Sequence, residues 1–121
     1  MISTKGRYAL RVLIDLAEQD TTTYVPLKEI AKRQGISEKY LQQIVKILVG
    51  KGLLTGISGK GGGYRLTASP EEYNVGEILE LMEGSLTPVA CLAPDTKTCS
   101  RSSHCKTLPM WKKFDNLVHD Y

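Results

Sequence analysis

No apolar run approaches the length of a membrane span, and the opening residues Ser3, Thr4, Lys5 and Arg7 hold no signal-peptide core. A cytoplasmic protein with no membrane partner is expected. Histidine is nearly absent: of two, His119 falls in the terminal helical stretch and His104 adjoins a cysteine, so no nucleophile–base pair is legible. An enzyme is therefore not expected. Cysteine is sparse too: three thiols, kept reduced in a cytosolic chain and odd in number for a disulfide framework, argue against one. The 121 residues, 41% hydrophobic and 24% charged, fit an ordinary globular chain of one domain with an appended dimerisation element.

Charge is present but unevenly placed. Residues 1–66 hold 11 Lys or Arg against 5 Asp or Glu, a net of +6, whereas residues 67–121 hold 5 against 8, a net of −3. An anionic partner is implied for the first half only.

That half contains PLKEIAKRQGISEKYLQQIVKILVGKGLLTGISGKGGGYRL, residues 26–66. A short helix over about Leu27 to Gln34 buries Leu27, Ile30 and Ala31 and stops at Gly35, where a left-handed C-cap suits glycine. Ser37 caps a second helix, with Ile36 and Leu41 at the spacing of a hydrophobic staple. Leu41, Ile44, Val45 and Leu48 form its core stripe, while Glu38, Lys39, Gln42, Gln43 and Lys46 lie opposite. Leu53, Leu54 and Ile57, then Tyr64 and Leu66, flank the run GKGGG, which reads as a hairpin with a slim tip bearing Lys60.

Helix, turn, helix and glycine-tipped hairpin make a winged helix-turn-helix, a DNA-reading unit. Such helix pairs also serve as plain packing units, and a polar helix face is usually just solvated. The combination of pair, wing and local basic charge favours nucleic acid. A phosphate loop is rejected, because Gly63 leads into a strand instead of Lys-Ser or Lys-Thr opening a helix. The candidate DNA-binding residues are Lys5, Arg7, Lys28, Ser37, Lys39, Tyr40, Gln42, Gln43, Lys46, Lys60 and Gly61. Lys and Arg suit phosphates, and glutamine can pair with adenine.

Before this unit, Ser3 or Thr4 caps a helix to about Gln19 that buries Ala9, Leu10, Leu13, Leu16 and Ala17. Arg11 on it is a phosphate contact or an ordinary surface charge. After the wing, residues 69–72 turn the chain and Asn74 caps a helix, with Glu77 at capping-box spacing. Val75, Ile78, Leu79 and Met82 supply its core stripe and Glu77, Glu80 and Glu83 an acidic face, before Gly84 ends it. A last helix begins near Thr107, with Trp111, Phe114, Val118 and Tyr121 as an apolar stripe read as a dimerisation surface or as folding back on its own domain.

Between them, residues 85–105 lack periodicity and hold all three cysteines. Cys91, Cys99 and Cys105 are separated by seven and five residues, a spacing that matches no zinc finger but that an iron-sulfur cluster tolerates. Lys97, Arg101 and Lys106 would lower thiol pKa values, which fits cluster ligation or a redox-reactive thiol. Three unremarkable free cysteines are the bland reading.

The opening STKGRYAL, the helix pair, the GKGGGYRL wing, VGEILELMEG and three cysteines ahead of a helix with Trp111 resemble the Rrf2 family of bacterial transcription regulators over essentially the whole chain. The resemblance implies a homodimer on a palindromic operator in double-stranded DNA. Its iron-sulfur branch implies a two-iron, two-sulfur (2Fe-2S) cluster on Cys91, Cys99 and Cys105; its cysteine-metabolism branch implies a cluster-free repressor that answers to a protein partner. The fourth ligand is unassigned, because Leu108 stands where one branch has histidine and Arg7 where another has aspartate. Gln42 and Ser58 likewise replace a glutamate and a wing arginine of the family, so the operator is not carried over. The expected division is a winged domain over 1–84, a cysteine loop over 85–105 and a dimerisation helix over 106–121. The leading function is a cluster- or redox-sensing DNA-binding regulator; the alternatives are a cluster-free repressor and, remotely, a thiol-using enzyme or adaptor.

Overall fold

The computed structural model of the chain describes residues 2–84, 86 and 106–121. Its elements are α1 (Thr4–Glu18), α2 (Leu27–Gln34), α3 (Glu38–Gly50), β1 (Leu54–Ile57), β2 (Gly63–Leu66), a 3-10 turn (Pro70–Glu72), α4 (Val75–Glu83) and α5 (Leu108–Asp120). This is the mostly helical winged helix-turn-helix with a C-terminal helix that the sequence pattern implies.

The helix boundaries follow from capping chemistry. Ser37 accepts the Tyr40 N–H at 3.1 Å, so an otherwise unpaired amide of the first turn of α3 is satisfied by a side chain. Gly35, at φ 64°, ends α2 in the left-handed region and allows the tight turn into α3. Asn74 accepts the Glu77 N–H at 3.0 Å and starts α4.

One hydrophobic core joins Ala9, Val12, Leu13 and Leu16 of α1 with Ile30 of α2, Leu41, Ile44, Val45 and Leu48 of α3, and Ile78 and Met82 of α4. Burying each of the larger aliphatic side chains is worth about 1.5–3 kcal/mol, so α3 is fixed to the body along its whole length. The strands pair antiparallel with Leu54 opposite Leu66 and Ile57 opposite Gly63. Val25 adds a bridge to Tyr64, through two backbone bonds of 2.9 Å. Gly63 makes that bridge feasible: at φ 150° it lies so close to Val25 that a Cβ there would meet the Val25 carbonyl carbon at 2.3 Å.

Two expectations are corrected. Val75 is 57% exposed and not part of the α4 core stripe. It lines an apolar groove together with Leu10, Ile14 and Tyr73, with the core residues Leu13 and Ile78 on the same lining. Glu83 leaves the acidic solvent face and turns onto the start of α1, where its Oε1 accepts from the Ser3 N–H at 2.7 Å. Arg11, read as a phosphate contact or a surface charge, stays exposed and bridges to the end of α2, its Nε donating to the Gln34 side chain at 3.0 Å and its Nη2 to the Gln34 carbonyl.

Asp15 is the one buried charge in the described core, at 4% exposure. Arg33 grips it with two donors at 2.7 and 3.0 Å, and Gln34 adds a third bond at 2.8 Å. Burial alone would raise the Asp15 pKa, but the bonds from Arg33 and Gln34 and the guanidinium charge outweigh it and hold the carboxyl below its ordinary range.

Candidate nucleic-acid interface

The polar face of α3 and the first wing strand enclose a cleft of about 570 Å³, lined by Gln42, Lys46, Val49, Gly56, Ile57, Ser58 and Tyr64. Core packing sets its geometry. Leu41, Ile44, Val45 and Leu48 are buried, so Gln42, Gln43 and Lys46 are held on the outer face and exposed. The cleft floor is formed where the Tyr64 ring lies over Gly56, since a Cβ on Gly56 would sit 2.7 Å from the ring.

Lys60 and Gly61 occupy the exposed wing tip, where Gly59 and Gly61 take positive φ values of 91° and 79° and the Gly62 N–H closes the turn on the Gly59 carbonyl at 3.0 Å. Helix face and wing tip thus bracket a gap into which a sugar–phosphate strand can run, with amide and ammonium donors along one wall. The remaining candidates do not line the cleft. Lys28 and Lys39 are exposed on α2 and α3, and Lys5 and Arg7 ride on the first turns of α1. The edge-to-face contact of Tyr8 with Tyr40, 5.8 Å between ring centroids, sets those turns beside the start of α3. Tyr40 is accordingly half-buried, and Ser37 spends its acceptor lone pair on the helix cap while its hydroxyl proton stays available.

Val49, Ile57, Ser58 and Tyr64 were not among the sequence-derived candidates, although all line the cleft. A signal was present: a glycine inside a short strand, Gly56, marks a place where another group approaches closely.

The chain matches the model of the Rrf2 family, described as an iron-dependent transcriptional regulator, over residues 2–121. The chain belongs to the Rrf2 family. Family membership makes it a DNA-binding transcription regulator and not an enzyme. It is 36% identical over 110 residues to the protein rrf2 of Nitratidesulfovibrio vulgaris, covering 91% of this chain and 73% of that one. It is 32% identical over 120 residues to the HTH-type transcriptional regulator IscR of Aliivibrio salmonicida, covering 99% of this chain and 70% of that one. Among solved structures it resembles CymR, the global cysteine regulator of B. subtilis, with a TM-score of 0.76, 35% identity and coverage of 99% of this chain and 87% of that one.

In this Rrf2 chain the sensing residues read from sequence, Cys91, Cys99 and Cys105, lie outside the described residues. Among the described residues no group of three or more His, Cys, Asp or Glu side chains is gathered to hold a metal ion. Also among them, no helix is long and apolar enough to cross a membrane.

The dimerisation candidates are on α5, which has no buried side chain. Trp111 and Val118 are half-buried, while Phe114 and Tyr121 are exposed, together with Met110 and Leu117, which the sequence stripe omitted. His119 approaches α4, its Nε2 lying 3.5 Å from Glu80. A bond to the Asp115 carbonyl, and then the nearby carboxylates of Asp115, Glu80 and Asp120, raise its pKa against the opposing effect of burial.

Proposed function

We propose that this regulator acts as a homodimer on a palindromic operator and that its three cysteines sense iron-sulfur or thiol status. The observation that carries the DNA side is the cleft between α3 and the wing, with Gln42 and Lys46 on one wall and Ser58 on the other. In the proposed complex α3 enters a major groove, Gln42 and Gln43 reach base edges, and Lys60 and Gly61 touch the adjoining backbone or minor groove. Ser37, Lys39, Tyr40 and Lys46, with Lys5, Arg7 and Lys28 at the flanks, position the protein on phosphates. Residues 1–84 read DNA, residues 85–105 sense, and residues 106–121 pair.

Pairing is supported by the uncovered apolar side chains of α5. Two copies would set their recognition helices about one turn of DNA apart, roughly 34–36 Å. Sensing is supported by donor chemistry: three cysteine thiolates are soft ligands that suit a 2Fe-2S cluster, with Cys91, Cys99 and Cys105 as the protein ligands. When bound, such a cluster supplies charge and redox state; the chain supplies the fixed reading surface. Likeness to CymR, the global cysteine regulator of B. subtilis, supports the second reading, a cluster-free repressor answering to a protein partner or thiol oxidation.

The deciding measurement is the visible absorption of protein purified without oxygen, with iron and acid-labile sulfide counted per chain. Broad visible bands that vanish in Cys99→Ala, with a changed gel-shift affinity for a selected duplex, are expected. Colourless, iron-free protein that still binds the duplex would instead count against the cluster and favour the second reading.

A further inference from the structure

We infer that Glu83, the last residue of α4, is a positioning residue for duplex binding: it holds the first turn of α1, and with it Lys5 and Arg7, beside the recognition helix. The inference rests on the proposed phosphate contacts of those two side chains. One carboxylate oxygen, Oε1, accepts the Ser3 N–H at 2.7 Å, the Ser3 hydroxyl at 2.7 Å and the Gly6 N–H at 3.1 Å. Ser3 Oγ in turn accepts the Lys5 N–H at 3.2 Å. The first turn of α1 has no acidic residue of its own, so the favourable negative charge at the positive helix end comes from a different helix, nearly eighty residues later in the chain.

The fit is close. A Cβ on Gly6 would lie 2.5 Å from Oε1, so the approach exists only because residue 6 is glycine. Burial opposes the charge, but the bonds from Ser3 and Gly6 outweigh it, and the carboxyl is held below its ordinary range.

This clamp has a bearing on DNA for two reasons. First, the ends of a helix fray unless tied down, and a cation on a frayed turn pays its ordering entropy when it meets a phosphate. Second, the turn so fixed is registered on the reading helix, because Tyr8 packs on Tyr40 in the first turn of α3. The amides of residues 3, 5 and 6 are already bonded, so phosphate contacts there fall to the Lys5 and Arg7 side chains.

The test measures binding of the full chain to a duplex enriched by the wild type from a random-sequence library, as a function of salt. Glu83→Ala should bind at least about tenfold more weakly, with a log–log salt slope shallower by about four, the share of two phosphate contacts in each protomer of the proposed dimer. Lys5→Ala and Arg7→Ala should each weaken the wild type yet cost nothing further in the Glu83→Ala background. Glu83→Gln, which keeps an acceptor oxygen, should recover most of the affinity. Gly6→Ala, which displaces the same oxygen by another route, should reproduce the shallower slope. A folded Glu83→Ala with wild-type affinity and slope, or full additivity with Lys5→Ala, overturns the inference. Should Glu83→Ala fail to fold, an unchanged slope in Gly6→Ala does the same. Failure of the wild type to enrich any duplex would instead overturn the DNA-reading assignment itself.

Discussion

At the scale of the residue, Asp15 decides how α2 sits on α1. A carboxylate at 4% exposure is tolerable only because Arg33 and Gln34 complete its bonds. Asp15→Ala removes the buried partner of Arg33 and leaves only Glu29, 3.6 Å away at the surface, and since Arg33 is itself partly solvated the expected loss is about 1–3 kcal/mol, below that for a fully buried pair. The folded pKa of Asp15 lies below its unfolded value, so this stabilisation is complete above the unfolded pKa of about 3.9 and is lost as pH falls through the folded one. Urea denaturation of both proteins should show a clear gap at neutral pH that closes below about pH 4. A gap of the same size in acid would mean that lost packing, not charge, was responsible.

At the scale of the element, the proposed binding gives α3 and the wing separable tasks. Gln42→Ala should weaken duplex binding with loss of base preference, whereas Lys60→Ala should lower affinity across sequences and flatten the salt dependence, by competition binding with specific and random duplexes. Unchanged binding in both would remove the assigned surface. Elements with local rules were legible in the sequence: Ser37 and Asn74 as caps, Gly35 as a stop and the α3 stripe all act within a few residues. What could not be read were ties between distant positions. Nothing near Val25 announces its bridge to Tyr64, nothing near Glu83 announces Ser3, and Arg11 looks like any surface cation until Gln34 is beside it. The cleft was half legible for the same reason. Its α3 wall follows from helical periodicity, but its wing wall depends on how the Tyr64 ring lies over Gly56.

At the scale of the whole molecule, the basic half is less available than its composition implies. Arg33 is spent on Asp15, Arg11 on Gln34, and Arg65 stacks on Tyr24 at 4.6 Å while donating to the Thr22 carbonyl. Only Arg33 has its charge offset by a buried carboxylate; Arg11 and Arg65 keep theirs but have donors engaged within the fold, so under the proposed binding the donors left for phosphates are mainly those of the lysines and Arg7. The other exposed resource is apolar, on α5. Phe114→Glu should leave the winged domain folded, because Phe114 covers none of its core, yet convert a dimer to a monomer in sedimentation velocity and weaken operator binding by more than tenfold. Persistence of the dimer would move the pairing surface elsewhere.

A helix with no buried side chain has little reason to be ordered alone, so under the proposed pairing the folding of α5 and the meeting of two chains are one event. Dilution then acts as a denaturant. Operator occupancy would rise with the square of chain concentration at low abundance, giving the regulator a dosage threshold below which its intact reading heads sit on DNA only singly and briefly.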